Sequence, residues 1–137
     1  MLKQNLVHPP LLAALARAGH GSRFLLADGN FPVSTVRPPA AETVHLNLAP
    51  GLLDIPTLLP ILLTTVPVEE ATLMRHPDGI DVPAHGAYRE LLGASVPTTS
   101  LDRFAFYAAV RSPDVGLVVA TGDLRLCSNL LLTVGLP

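Results

Sequence analysis

Proline sets the grain of this chain. Fourteen of its 137 residues are proline, about twice the usual share. Each removes a backbone donor and fixes φ near −65°, so only short elements fit between them. The longest uncharged apolar stretch, Ile55 to Val68, carries Pro56, Pro60 and Pro67. It is too short and too interrupted for a bilayer span, which needs about 20 helical residues.

Between the prolines the apolar pattern alternates between helix and strand. Pro9-Pro10 suits a helix start, after which Leu11, Leu12, Leu15 and Ala18 recur at helical spacing until Gly19. Arg23 to Ala27 predicts a buried strand ending in the Asp28-Gly29-Asn30 turn, and Thr43 to Leu48 a second, closed by Ala49-Pro50-Gly51. Asp54 predicts a cap for a helix over Thr57 to Thr64, with Pro60 within the first turn or so. Val68 to Met74 predicts a third strand, and Pro83-Ala84-His85 leads into a helix finished by Gly93. Arg103 to Val110 predicts another helix, Gly116 to Thr121 a central strand, and Asn129 to Val134 a last one. Helices alternating with short apolar strands predict one domain, residues 1–137, an α/β sandwich with a substantially parallel sheet.

Apolar residues make up 49% of the chain and charged residues 15%, with a mean hydropathy of +0.44. Such a surplus predicts that partner subunits cover part of the surface. The net charge of −2 and the single lysine, Lys3, provide no basic field for nucleic acid. One cysteine, Cys127, excludes a disulfide framework and a Cys-rich zinc site. The amino terminus, with one positive charge before Pro9-Pro10, does not read as a secretory signal. A cytoplasmic oligomer without membrane contact is the expectation.

Ligands of such sheets bind at loops off the carboxyl ends of strands. Three polar clusters fall at loops: Gly19-His20-Gly21-Ser22, Asp28-Gly29-Asn30, and Gly122-Asp123 through Asn129. Glycines on both sides of His20 allow close approach. Asp28 follows one strand-length on, within reach of the imidazole if helix and strand pack. A carboxylate on one ring nitrogen would orient the other as an acid or base; the competing reading is an exposed histidine at a helix end. His45, His76 and His85 lack metal-ligand spacing, and Gly19-x-Gly21 lacks the rest of a dinucleotide fingerprint. Phe104, Phe106 and Tyr107 read as core or interface packing rather than a stacking platform, Glu69-Glu70 as an exposed pair of strand residues, and Cys127 as an inert thiol.

Taken together, Gly19-His20-Gly21, Asp28-Gly29-Asn30-Phe31-Pro32, Arg103-Phe104-Ala105-Phe106-Tyr107, Thr121-Gly122-Asp123 and Ser128-Asn129-Leu130-Leu131-Leu132 with Val134-Gly135 resemble the fucose mutarotase and ribose pyranase (RbsD/FucU) family. Each motif alone is common, but five in register over the full chain are specific. About two extra residues fall around Ser112-Pro113-Asp114. The Arg-Phe-Ala-Phe-Tyr run, Phe31-Pro32 and Gly21 resemble the fucose branch. The segment from Gly51 to Ala71 is closer to the ribose branch.

The resemblance implies a three-layer α/β/α sandwich that interconverts the anomers of a free monosaccharide, without cofactor or metal. L-fucose or a related sugar is the leading expectation, pyranose–furanose interconversion of D-ribose the next. His20 would be the general acid/base, with Asp28, Arg103, Cys127, Ser128 and Asn129 holding the sugar. The family also implies homo-oligomeric rings, typically decamers, with sites at subunit junctions. Opening a hemiacetal requires only that one proton leave the anomeric hydroxyl and one reach the ring oxygen. A histidine, with an ordinary pKa near 6.5, suits both steps. Two positions depart from the pattern. Cys127 stands where relatives usually have tyrosine, and His45 where they often have an acidic residue. A thiol cannot stack on a sugar face, so a changed substrate, compensation by Tyr107, or a ring with a degraded, non-catalytic site would each fit.

Overall fold

The structure, a computed structural model, describes residues 1–137. Ten elements follow in order: α1 (Pro9–Arg17), β1 (Arg23–Ala27), β2 (Glu42–His45), α2 (Ile55–Leu63), β3 (Val68–Met74), α3 (Pro83–Leu92), β4 (Thr98–Leu101), α4 (Arg103–Val110), β5 (Val115–Ala120) and β6 (Leu130–Val134). The strands form one sheet in the order β2-β5-β1-β6-β3-β4. No helix is long and apolar enough to cross a membrane.

The sheet is mixed. β2 with β5, β5 with β1, and β3 with β4 pair in parallel, whereas β6 runs antiparallel to both β1 and β3. The apolar run that marks β6 as buried carries no information on direction, because hydrophobic patterning is blind to strand polarity. β4 has no such run: Thr98-Thr99-Ser100-Leu101 is polar, as an edge strand can be. Its sequence does not read as a strand. Several boundaries also differ: α2 begins at Ile55 rather than Thr57, and the helix expected from Ala87 takes in Pro83-Ala84-His85. β2 ends at His45 rather than Leu48.

Alternation along the strands divides the core in two. Phe24, Leu26, Leu117, Val119, Leu130 and Leu132 face α1, α2 and α3 through Leu11, Leu59 and Tyr88. Leu25, Val118 and Leu131 face the other way, against Phe106 and Val110 of α4 and against Phe31 and Val36. The result is the expected α/β/α sandwich, with three helices on one face and one helix plus the segment through Phe31 and Val36 on the other. Phe106 is fully buried, while Phe104 is exposed. Core packing therefore accounts for Phe106 but not for Phe104.

Pro60 lies in the second turn of α2 rather than the first. There it withholds the N–H that would bond the Pro56 carbonyl. The helix tolerates it because Asp54 caps the amino end by accepting from Thr57 N–H at 2.9 Å, and Leu58, Leu59 and Leu62 are buried.

Candidate active site

Because β6 is reversed, its amino end lies beside the carboxyl ends of its neighbours. Leu26 of β1 pairs with Leu130, and so does Leu73 of β3. The segments after β1, β3 and β4 and the one before β6 consequently meet at one end of the sheet. They enclose a cavity of about 270 Å³ lined by Asp28, Asn30, His76, Arg103, Tyr107, Cys127 and Asn129 among others.

Asp28 is the charged group at its base, only 3% exposed. Asn129 grips it twice: the side-chain amide donates to the Asp28 carboxylate at 2.8 Å, and its carbonyl accepts from Asp28 N–H at 2.8 Å. Asn30 N–H donates to the other carboxylate oxygen at 3.0 Å. Burial pushes the Asp28 pKa up to about 6; the Asn30 amide opposes this, and the nearby Asp123 charge adds to it. A carboxyl so placed is present in both protonation states near neutral pH.

Arg103 and Tyr107 form one wall. Asp102 caps α4, accepting from Phe104 N–H and Ala105 N–H at 3.0 Å, and so fixes where the helix starts. Residues four apart then share a face: Arg103 Nε donates to the Tyr107 hydroxyl at 3.3 Å. Phe31 meets the Tyr107 ring edge-on at 5.2 Å and ties the loop after Asp28 to this helix.

Cys127 also lines the cavity. It has φ of 61°, a left-handed conformation that costs a non-glycine residue roughly 1–2 kcal/mol. Burial raises its pKa and the Asp28 charge adds to the effect, although Arg103 opposes both. The side chain is therefore a neutral thiol at physiological pH. Ser128 is fully buried and its hydroxyl donates to the Arg125 carbonyl at 2.8 Å. It shapes the loop and does not line the cavity. His45 is exposed and also lies outside the cavity lining.

Thr121-Gly122-Asp123 turns out to be structural. The Thr121 hydroxyl donates to the Ala27 carbonyl at 2.8 Å. A Cβ on Gly122 would lie 2.2 Å from the Leu52 carbonyl oxygen. Asp123 accepts from Ile55 N–H at 3.1 Å and from Arg125 Nε at 2.9 Å. Burial works against its charge, but the Arg125 bonds outweigh this and hold its pKa below the usual carboxylate value.

His20 is elsewhere. It precedes β1, whereas Asp28 follows it, so the two lie at opposite ends of a five-residue strand that spans roughly 17 Å. The expected proximity of His20 and Asp28 within one chain does not occur, because the turn through Gly21 (φ 82°) enters β1 directly and leaves no chain to fold back. The carboxylate on His20 is Glu69, whose Oε2 lies 2.9 Å from Nε2. Both side chains are about half exposed.

Glu69 is exposed, as expected of the Glu69-Glu70 pair, but its contact with His20 was not foreseen. Glu69 falls at the register shift of β3 against β6, between Val68 and Glu70. Such a bulge re-aims one side chain out of the ladder. A Cβ on Gly135 would come within 2.9 Å of the Glu69 Cβ, so the glycine leaves Glu69 its space. No group of three or more His, Cys, Asp or Glu side chains is placed to hold a metal ion.

The family model described as the RbsD / FucU transport protein family matches residues 1–137. The chain is 36% identical to the fucose mutarotase of Bos taurus, over 95% of this chain and 89% of that protein. It is 30% identical to D-ribose pyranase 1 of Rubrobacter xylanophilus, over 100% of this chain and 99% of that one. Among solved structures, the fucose mutarotase of Streptococcus pneumoniae in complex with L-fucose superposes with a TM-score of 0.81 at 28% identity, covering 99% of each chain.

Proposed function

The chain belongs to the RbsD / FucU transport protein family, and on that premise we propose that it interconverts the anomers of a free monosaccharide, L-fucose or a closely related sugar, by proton transfer through His20. One observation carries this reading. The cavity around Asp28, Arg103 and Asn129 and the His20–Glu69 pair occupy opposite ends of β1, and in this reading each is half of a site that a second subunit completes.

In this reading the sugar enters the cavity of one subunit. Asp28, Asn129 and Arg103 hold its hydroxyls, and the Cys127 thiol and Tyr107 ring bound the remaining space. His20 of a neighbouring subunit takes the proton from the anomeric hydroxyl and returns it to the ring oxygen as the bond from C1 to that oxygen breaks, so the imidazole ends neutral as it began. The product is the open-chain aldehyde. Rotation about C1–C2 and the reverse transfers close the other anomer, with no net change in protons. Glu69 holds Nε2 and leaves the other ring nitrogen to exchange protons. Exposed apolar residues, Phe104 at 76% and Leu126 at 63%, are surfaces that a neighbour would cover. The working state is a homo-oligomeric ring in the cytoplasm, a decamer by family resemblance. A D-ribose pyranase among the relatives favours interconversion of ribose ring forms as the second reading.

Exchange NMR on equilibrated L-fucose, D-ribose and D-galactose tests the proposal. Anomer cross-peaks that appear only with protein, and strongest for L-fucose, are expected. His20→Ala lowers the enhancement by about 10²–10⁴-fold, and Glu69→Gln gives a smaller loss. Preference for D-ribose selects the second reading. Absence of enhancement for all three sugars refutes both.

A further inference from the structure

The wall carrying Cys127 is held from behind by α3. His85 and Tyr88 are three residues apart on one helical face, and both are buried, at 6% and 0% exposure. Polar groups are buried at a cost unless they are hydrogen-bonded, and both find partners on the same loop. His85 Nε2 lies 2.9 Å from the Cys127 carbonyl oxygen, and the Tyr88 hydroxyl donates to the Ser128 carbonyl at 2.6 Å. Burial holds the His85 pKa below its usual value. The ring is thus neutral at physiological pH, with the proton on Nε2 to donate.

These two carbonyls belong to the left-handed residue Cys127 and to Ser128, which immediately precedes Asn129, the side chain that grips Asp28. Tyr88 belongs to the core cluster through its ring, a role phenylalanine would fill equally. The hydroxyl is what the loop requires. We propose that His85 and Tyr88, neither of which lines the cavity, are positioning residues that capture the Cys127 and Ser128 carbonyls and thereby fix how Cys127 and Asn129 face the sugar. The inference rests on the cavity being the sugar site.

Cys127 is the only cysteine, so its alkylation by iodoacetamide reports the loop without reference to activity. The assembled protein is compared with Tyr88→Phe, His85→Ala and His85→Gln. Tyr88→Phe and His85→Ala are expected to alkylate several-fold faster and to raise KM for sugar exchange about tenfold, the scale of one lost hydrogen bond, with kcat little changed. His85→Gln keeps an N–H for the Cys127 carbonyl and is expected to restore both values. Unchanged alkylation and KM in folded Tyr88→Phe and His85→Ala would overturn the proposal. Should Tyr88→Phe fail to fold, the His85→Ala and His85→Gln pair decides. If the wild-type protein catalyses no exchange, the proposed function fails, while the alkylation rates still decide whether α3 positions the loop.

Discussion

At the scale of single residues, the most informative group is Asp28. Its pKa is raised to about 6, so the folded protein binds more protons than the unfolded chain between about pH 4 and 6. The corresponding stability is fully present below the unfolded value and is lost as pH rises through 6. The loss is on the order of 2–3 kcal/mol. Asp28→Asn removes this titration. The stability difference between variant and wild type, from urea unfolding at pH 4.5 and 7.5, is expected to move in favour of the variant at the higher pH. A difference independent of pH would mean that Asp28 ionises as it does in the unfolded chain. Asp28 was legible in the sequence because a carboxylate in a glycine turn after an apolar strand is a conspicuous pattern. Glu69 was not. Its direction depends on a bulge and on the missing Cβ of Gly135, and neither is a local property of Glu69-Glu70.

At the scale of elements, two backbone positions give opposite predictions. Pro60 sits exposed in the second turn of α2, so Pro60→Ala restores one helical hydrogen bond at no cost in packing. It is expected to stabilise the protein by about 1–2 kcal/mol, less than the full penalty of a mid-helix proline because the unfolded chain regains freedom. Thermal unfolding reads this directly. Gly122→Ala drives a methyl group into the Leu52 and Ala49 carbonyls, which are backbone and cannot step aside. A loss of about 3 kcal/mol or more is expected, or failure to accumulate as soluble protein. The helices and buried strands were legible because proline, capping aspartates and apolar runs mark their ends. The reversal of β6 and the existence of β4 were not legible. Strand direction is set by long-range pairing, and an edge strand such as Thr98 to Leu101 needs no apolar signature.

At the scale of the whole molecule, the fold separates what the sequence set side by side. His20 and Asp28 are eight positions apart in the chain, and β1 carries them to opposite ends of the sheet. Spacing along a chain says nothing about which residues meet across subunits, so the proposed site could not be assembled from local pattern. The expectation of association, by contrast, came from composition alone; Phe104 is exposed, as is Leu126, which lines the cavity. Subunit complementation tests the central claim most directly. His20→Ala and Asp28→Asn proteins, each expected to be inactive alone, are unfolded, mixed in equal amounts and refolded together. If each site joins His20 of one subunit to Asp28 of the next, random mixing leaves about one quarter of the sites intact. Anomer exchange should return to about a quarter of the wild-type rate. Mixed assemblies that form fully but stay inactive would contradict a site shared between subunits.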